Sequence, residues 1–304
     1  MAERKEPPPD RIRAGLDSLV RARAGIIEPQ PLTMKTEIFT LDYMLGGGLR
    51  VGEVSIVAAR TGGGKTALAE QISLAISSRY KTHHFALELG YRQTENRMIG
   101  KICGLDVRSV ENIRATNPKH ELIVGALEAL TYERDLLIEE RDLLERYVSE
   151  DLVYAIAATN ARLVVVDHPR HLDDWSEATG RFDMAPSKIS RRFLAVAKQL
   201  ECHIMVIAQM KAEVIKGRRP GVYDIADTSA LGQVASAVVI VHRPFLGENG
   251  DDVAELIVDK NRNGPEGRVY TRWVGRTMSF LDLTPDEERR VVERCNPPKK
   301  KART

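Results

Sequence analysis

Four short runs of apolar residues punctuate the middle of the chain: "EVSIVAAR" from residue 53, "THHFALEL" from 82, "RLVVVDH" from 162 and "CHIMVIAQ" from 202. None alternates with polar residues, so each reads as a strand buried on both faces. The stretches between them have helical spacing, as in "KTALAEQISLAISS" and "PSKISRRFLAVAKQL", where apolar side chains fall on one face. Strands alternating with helices predict an α/β fold with a mostly parallel sheet, joined by right-handed crossovers and flanked by helices. After residue 236 the texture changes to "AVVIVHR", "VAELIVDK", "RVYTRWV" and "MSFLDL". These strands are separated by turns too short for helices, which predicts antiparallel hairpins at the C-terminal edge of the sheet. Near the start, Ile12, Leu16, Leu19 and Val20 form one stripe on a short basic helix, packed either on its own domain or on a neighbouring subunit. In "ERDLLIEERDLLER" the pentad "ERDLL" recurs after seven residues; two heptads are too few for a coiled coil, and the spacing reads as a partly exposed amphipathic helix or a coincidental repeat.

Charge and proline collect at both ends, which divides the chain into an N-terminal arm with a short helix (1–30), a single large domain (31–290) and a flexible basic tail (291–304). No run approaches the length of a membrane span. Cys103, Cys202 and Cys295 are far apart and lack CxxC spacing, so neither a disulfide framework nor a zinc site is expected, and a reducing cytoplasm is the default location. A net charge of +2 is too small to imply a polyanionic partner, so any nucleic-acid surface must arise from local clustering.

The chemistry concentrates where the first buried strand meets a helix. Ala59, Arg60, Thr61, Gly62, Gly63 and Gly64 form a glycine-rich turn, and Lys65, Thr66 and Ala67 open the helix. In this setting a P-loop has meaning: backbone N–H groups and the helix N-terminus cradle phosphates, Lys65 reaches the β and γ phosphates, and the Thr66 hydroxyl serves Mg²⁺. Ala59 stands where the usual motif has its first glycine, a departure a small residue tolerates. Hydrolysis further needs a metal-binding carboxylate and a base for water. Asp167, closing "RLVVVD", fits the first role and Glu88, closing "HFALE", the second, while Gln209 at the end of "IMVIAQ" is placed to sense a γ-phosphate.

These residues resemble the C-terminal motor of the DnaB-type replicative helicase family, a branch of the RecA-like ATPases. The resemblance runs from about Thr36 to Leu283. It rests on "LDYMLGGGLRVGEVSIVAARTGGGKTALA" leading into the phosphate loop, "FALEL" around the catalytic glutamate, "LVVVDH" as the Walker B strand, "IAQ" before the sensor glutamine, and above all "KNRNGP". Taken alone, Lys260 and Arg262 read as two solvated bases on a surface hairpin. The resemblance implies instead a lysine and an arginine finger delivered to the γ-phosphate held by the next subunit, and with it a ring, by family precedent a hexamer. It also implies that "LLIEE" (136–140) is a short strand ahead of a helix starting near Ser149, against the heptad spacing.

Departures from the family pattern bear on function. The family's separate helical N-terminal domain has no counterpart in residues 1–30, so its part in ring stability and primase contact is expected to be lost or supplied by another chain. His168 and Pro169 follow Asp167 where Tyr and Leu are common. In "DIADTSALGQVASAVVIVHR", matching the central-channel loop, Ala226 replaces the usual arginine and Ser229 a flexible glycine, next to Asp227. Lys216, Arg218 and Arg219 offer replacement charge, as contacts to phosphates rather than bases, since no aromatics are interleaved. The resemblance implies a Mg²⁺-dependent ATP hydrolase and DNA helicase moving along single-stranded DNA, 5′ to 3′, with primase or loader proteins as possible partners. The alternative is a RecA-like ATPase acting as a nucleotide-gated assembly or regulatory protein without unwinding.

Overall fold

The computed structural model describes residues 31–141, 145–175, 184–211, 218–226, 228–248 and 252–296. The proposed N-terminal helix and the last residues of the basic tail lie outside them. Strands β1 (Thr33–Met34) and β2 (Leu49–Arg50) form a small antiparallel pair flanking helix α1 (Phe39–Met44). Then come β3 (Val54–Ala59), α2 (Lys65–Ser77), β4 (Thr82–Ala86), α3 (Tyr91–Cys103), α4 (Val107–Asn112), α5 (His120–Tyr132) and β5 (Leu136–Glu140). The central crossovers follow as α6 (Ser149–Thr159), β6 (Leu163–Asp167), α7 (Met184–Gln199) and β7 (His203–Gln209). The chain ends with α8 (Thr228–Val234), β8 (Ala237–His242), β9 (Val253–Asn261), β10 (Gly267–Val274), β11 (Ser279–Asp282) and α9 (Pro285–Cys295).

Among the described residues these strands build a nine-stranded sheet in the order β11-β10-β9-β8-β3-β7-β6-β4-β5. From β8 to β5 every pairing is parallel, and from β8 to β11 every pairing is antiparallel. The predicted architecture is therefore present, including its change of texture after residue 236. Strands β3, β4, β6, β7 and β8 are buried at every position except Gln209, as unbroken apolar runs require. One face of the sheet packs on α6 and α7 through Leu152, Ile156, Ile189 and Phe193. Leu74, Met98, Ile99, Val110, Ala126 and Leu130 form a smaller cluster joining α2 to α3, α4 and α5. Polar residues inside the strands are paired rather than stranded: the Ser55 hydroxyl lies 2.8 Å from His203 Nε2, and His203 Nδ1 lies 2.7 Å from the Arg50 carbonyl oxygen.

Leu136–Glu140 is a strand, parallel to β4 at the edge of the sheet, as the resemblance implied and the heptad spacing did not. Leu136 and Ile138 turn into the smaller cluster. The boundary expected at residue 290 falls inside α9. That helix is held at its start by a reciprocal pair, in which Thr284 Oγ1 accepts from the Glu287 N–H and Glu287 accepts from the Thr284 N–H. The ordered domain thus reaches Asn296.

Candidate nucleotide site

Strand β3 ends at Ala59 and α2 begins at Lys65, so residues 60–64 form the turn. Its glycines are required by close approach. A side chain on Gly63 would meet the Arg60 carbonyl oxygen at 2.8 Å. Gly64 has φ 104°, and a side chain there would meet the Phe280 ring at 3.0 Å. Phe280 and Trp273, with ring centres 4.8 Å apart, thus lie directly against the loop. Gln71 on α2 exchanges two 2.8 Å hydrogen bonds with the Phe280 backbone, fixing β11 to the helix. No side chain caps the start of α2, which leaves its first N–H groups and its positive end for an anion. The loop borders a cleft of about 440 Å³ lined by Lys65, Thr66, Glu88, Arg97, Gln209 and Trp273, among others.

Sheet order decides which side chains meet here. Strands β7, β6 and β4 are neighbours, so Gln209, Asp167 and Glu88 arrive together at the carboxyl edge of the parallel sheet. Glu88 lies two residues beyond β4, and its N–H donates to the Asp167 carbonyl at 3.0 Å. Lys65 Nζ donates to Glu88 Oε2 at 2.7 Å and lies 3.6 Å from Asp167 Oδ1. Burial alone would raise the Glu88 carboxyl pKa. The hydrogen bond and charge of Lys65, helped by His168 and His171, outweigh it and hold the group below its usual range. Gln209 Nε2 lies 3.0 Å from His168 Nε2, and burial foremost, then His171, pushes the His168 imidazole down to about 4.

The Thr66 hydroxyl donates to Asp167 Oδ2 at 2.6 Å, while Asp167 Oδ1 is buried without a hydrogen-bond partner. A hydroxyl beside a carboxylate with an unused oxygen suits a hard cation such as Mg²⁺, which completes its shell with water and phosphate oxygens. Among the described residues no cluster of three or more His, Cys, Asp or Glu exists for a fully protein-bound metal. The residues fit a metal that arrives with its nucleotide.

Lys260 and Arg262 stand elsewhere. Lys260 pairs with Val238 and Asn261 with Ala237, and Ala237 pairs with Ser55 near the start of β3. The basic pair therefore lies at the opposite edge of the sheet from the Ala59 end. Asn261 donates to the Met44 carbonyl at 2.7 Å and Asn263 to Glu53 at 2.8 Å, which anchors the hairpin tip. The two bases rest on the C-terminal carbonyls of α8, Lys260 on Gly232 at 2.6 Å and Arg262 on Gln233 at 3.1 Å. Burial, reinforced by Arg262, lowers the Lys260 pKa. Among the described residues no carboxylate pairs with either.

The basic residues expected at nucleic acid are differently placed. Arg219 is not a solvated base: it forks onto Glu255, whose side chain is fully buried, through bonds as short as 2.8 Å, and also donates to the Cys295 carbonyl. Arg218 pairs with Asp224 at 2.5 Å. A buried carboxylate needs such a partner, and nothing in the local pattern around Glu255 signals its enclosure. Lys216 and Asp227 lie outside the described residues, and Ser229 belongs to the backbone of α8. Arg97, Arg243 and Trp273 at the cleft were not anticipated; the Arg243 guanidinium stacks 4.5 Å over the Trp273 ring and donates to the Gly62 carbonyl at 3.1 Å.

The profile of the DnaB-like helicase C-terminal domain family matches residues 33–282. Among curated proteins, the "Replicative DNA helicase DnaB" of Haemophilus influenzae is 26% identical over 255 residues, covering 80% of this chain and 54% of that protein. Its namesake from Geobacillus stearothermophilus is 23% identical over 265 residues, covering 85% of this chain and 57% of that protein. The chain thus spans little more than half the length of these relatives. Among solved structures, "The Structure Of A DnaB-Like Replicative Helicase And Its Interactions With Primase" superposes with a TM-score of 0.77 at 18% identity, over 93% of this chain and 69% of that one. A second solved structure, of an isolated ATPase domain, gives the same TM-score and identity over 92% of this chain and 100% of that one.

Proposed function

Since the chain belongs to the DnaB-like helicase C-terminal domain family, we propose that it is an ATP-driven motor that hydrolyses ATP between copies of itself and moves along single-stranded DNA. One observation carries this reading. The phosphate loop with Lys65, Thr66, Glu88 and Asp167 lies at one edge of the sheet, and Lys260 with Arg262 at the other. No subunit can bring its own basic pair to its own phosphates, whereas a head-to-tail neighbour can.

In the proposed reaction, the γ-phosphate of ATP competes for Lys65, whose ammonium is held by Glu88 in its absence. The Glu88 carboxylate, once released, takes a proton from the attacking water as the new P–O bond forms and the β–γ bridging bond breaks. Thr66 and Asp167 would hold Mg²⁺, which when bound neutralises charge on the β and γ phosphates. Gln209 faces the same cleft and reads the γ-phosphate through its amide. The neighbour's Arg262 and Lys260 stabilise charge on the transferring phosphoryl group. By family precedent the assembly is a hexameric ring, translocation is 5′ to 3′, primase or loader proteins are partners and the compartment is the cytoplasm. Among the described residues no helix is long and apolar enough to cross a membrane.

A second reading, a nucleotide-gated assembly protein without unwinding, draws support from the same geometry. Arg218 and Arg219 are committed to Asp224 and Glu255, and Ala226 carries no charge, which leaves Lys216 and the backbone around Asp227 and Ser229 as the proposed DNA-facing elements. ATP turnover with and without single-stranded DNA, together with strand separation of a forked duplex, decides between them. Turnover indifferent to DNA and an intact fork would sink the motor reading.

A further inference from the structure

His168 stands where related sequences commonly have tyrosine, and the hydrolytic scheme above does not use it. Its ring is buried and stacked on His171, with centres 4.4 Å apart. Nε2 lies 3.0 Å from the Gln209 side-chain amide and 3.6 Å from Glu88 Oε2. Nδ1 is buried with no hydrogen-bond partner among the described residues. A neutral imidazole carries one proton. On Nδ1 that proton would be a buried donor without an acceptor; on Nε2 it is donated, and a bare Nδ1 lone pair costs less. Gln209 then turns its amide oxygen toward the ring, an orientation that hydrogen-bond satisfaction sets. The single Nε2–H has two acceptors in reach, Gln209 and Glu88, and serves one of them at full strength.

Two further contacts give this choice a consequence. Glu88 Oε2, the oxygen nearest His168, is the one that Lys65 occupies at 2.7 Å. On the other side, the Gln209 backbone carbonyl accepts the Ala226 N–H at 2.8 Å, beside the bridge between Met210 and Ile225. We propose that His168 is a positioning residue that passes the state of the phosphate site to the segment 221–226. When a γ-phosphate draws Lys65 away, the vacated Glu88 oxygen takes the His168 N–H. The Gln209 amide is thereby released toward the phosphate, and the Ala226 hydrogen bond is strained. This rests on the ATP-hydrolysing reading above and adds the residue that links its two sides.

The test is amide hydrogen exchange over residues 221–226 in the full chain, with and without a nonhydrolysable ATP analogue, alongside titration of a fluorescent form of that analogue. In the wild type the analogue should speed exchange at Ala226 on the order of tenfold, the scale of one hydrogen bond. His168→Ala should bind the analogue within about twofold of wild type yet lose that response. His168→Gln, whose amide can donate from near the Nε2 position, should restore it; a merely structural role would not. Should His168→Ala fail to fold, His168→Phe keeps the ring stack without the N–H and carries the same expectation. A wild-type response retained in these variants, or a wild type whose exchange there ignores bound analogue, overturns the proposal. Failure of the motor reading is seen separately, in turnover that DNA does not stimulate.

Discussion

Mixing two inactive variants tests whether the reactive centre is shared between subunits. From Ser55, level with the basic pair, to Ala59 the strand climbs four residues, on the order of 13 Å before the phosphate loop adds its own length, too far for an arginine to span. Lys65→Ala destroys the phosphate loop but keeps the finger; Arg262→Ala does the reverse. Each alone should lose turnover, the second by roughly 10³-fold or more. Arg262 is exposed and makes one hydrogen bond to a carbonyl, so its removal should cost the fold at most about 1 kcal/mol and the lost rate cannot be blamed on unfolding. In a random equimolar assembly, an interface works only where the Arg262→Ala chain supplies the loop and the Lys65→Ala chain the finger, so turnover should recover to about a quarter of wild type if interfaces act independently. The assay is steady-state phosphate release after the two chains are mixed and reassembled, with mixed composition checked by a mass tag. Turnover no higher than the parents', in oligomers that contain both chains, would refute the shared centre.

Glu88→Gln should lower turnover about 10² to 10⁴-fold while leaving nucleotide affinity nearly intact, and equal losses in both would assign Glu88 to binding. Because the Glu88 pKa is depressed in the fold, its pairing with Lys65 stabilises the protein above the unfolded value and is lost as pH falls through the folded one. The acid limb of kcat/KM should accordingly lie below the ordinary glutamate range, and a limb above that range would contradict the pairing. Asp167→Asn should raise the Mg²⁺ concentration for half-maximal turnover by at least about tenfold, and an unchanged Mg²⁺ titration would remove it as a metal ligand. Arg219→Ala leaves the fully buried Glu255 without its partner, which should cost about 3–5 kcal/mol and lower Tm by about 6 °C or more; an unchanged Tm with weakened DNA binding would return Arg219 to the nucleic-acid surface.

The parallel half of the sheet was readable because residues buried on both faces leave an unmistakable apolar run, and the phosphate loop because its glycines sit between such a run and a helix. Edge strand β5 was not readable from its own pattern. It hides only one face, with Leu136 and Ile138 inward and Leu137 44% exposed, so its local signal competed with a heptad that has no tertiary support. Lys65, Thr66, Glu88, Asp167 and Gln209 were legible as strand ends and converge as expected. Trp273 and Arg243 were not, because an aromatic in an antiparallel strand looks like ordinary core and its place under the loop depends on a pairing about two hundred residues from Gly64. Arg219 failed for a related reason: charge is visible in sequence, but the enclosure of Glu255 is not.

Strand β9 and its partner β10 meet two different sites. Lys260 sits near the turn that joins them, while Trp273, at the far end of β10, abuts the chain's own Gly64. A nine-residue strand spans on the order of 30 Å and is braced on both sides by hydrogen-bonded neighbours, so it behaves as a stiff spar rather than a spring. In the proposed assembly, a push received at one tip from an adjacent molecule's triphosphate would be felt beneath the recipient's own. Successive firing in one rotational sense would then need no separate timing device, only the rigidity of a single hairpin.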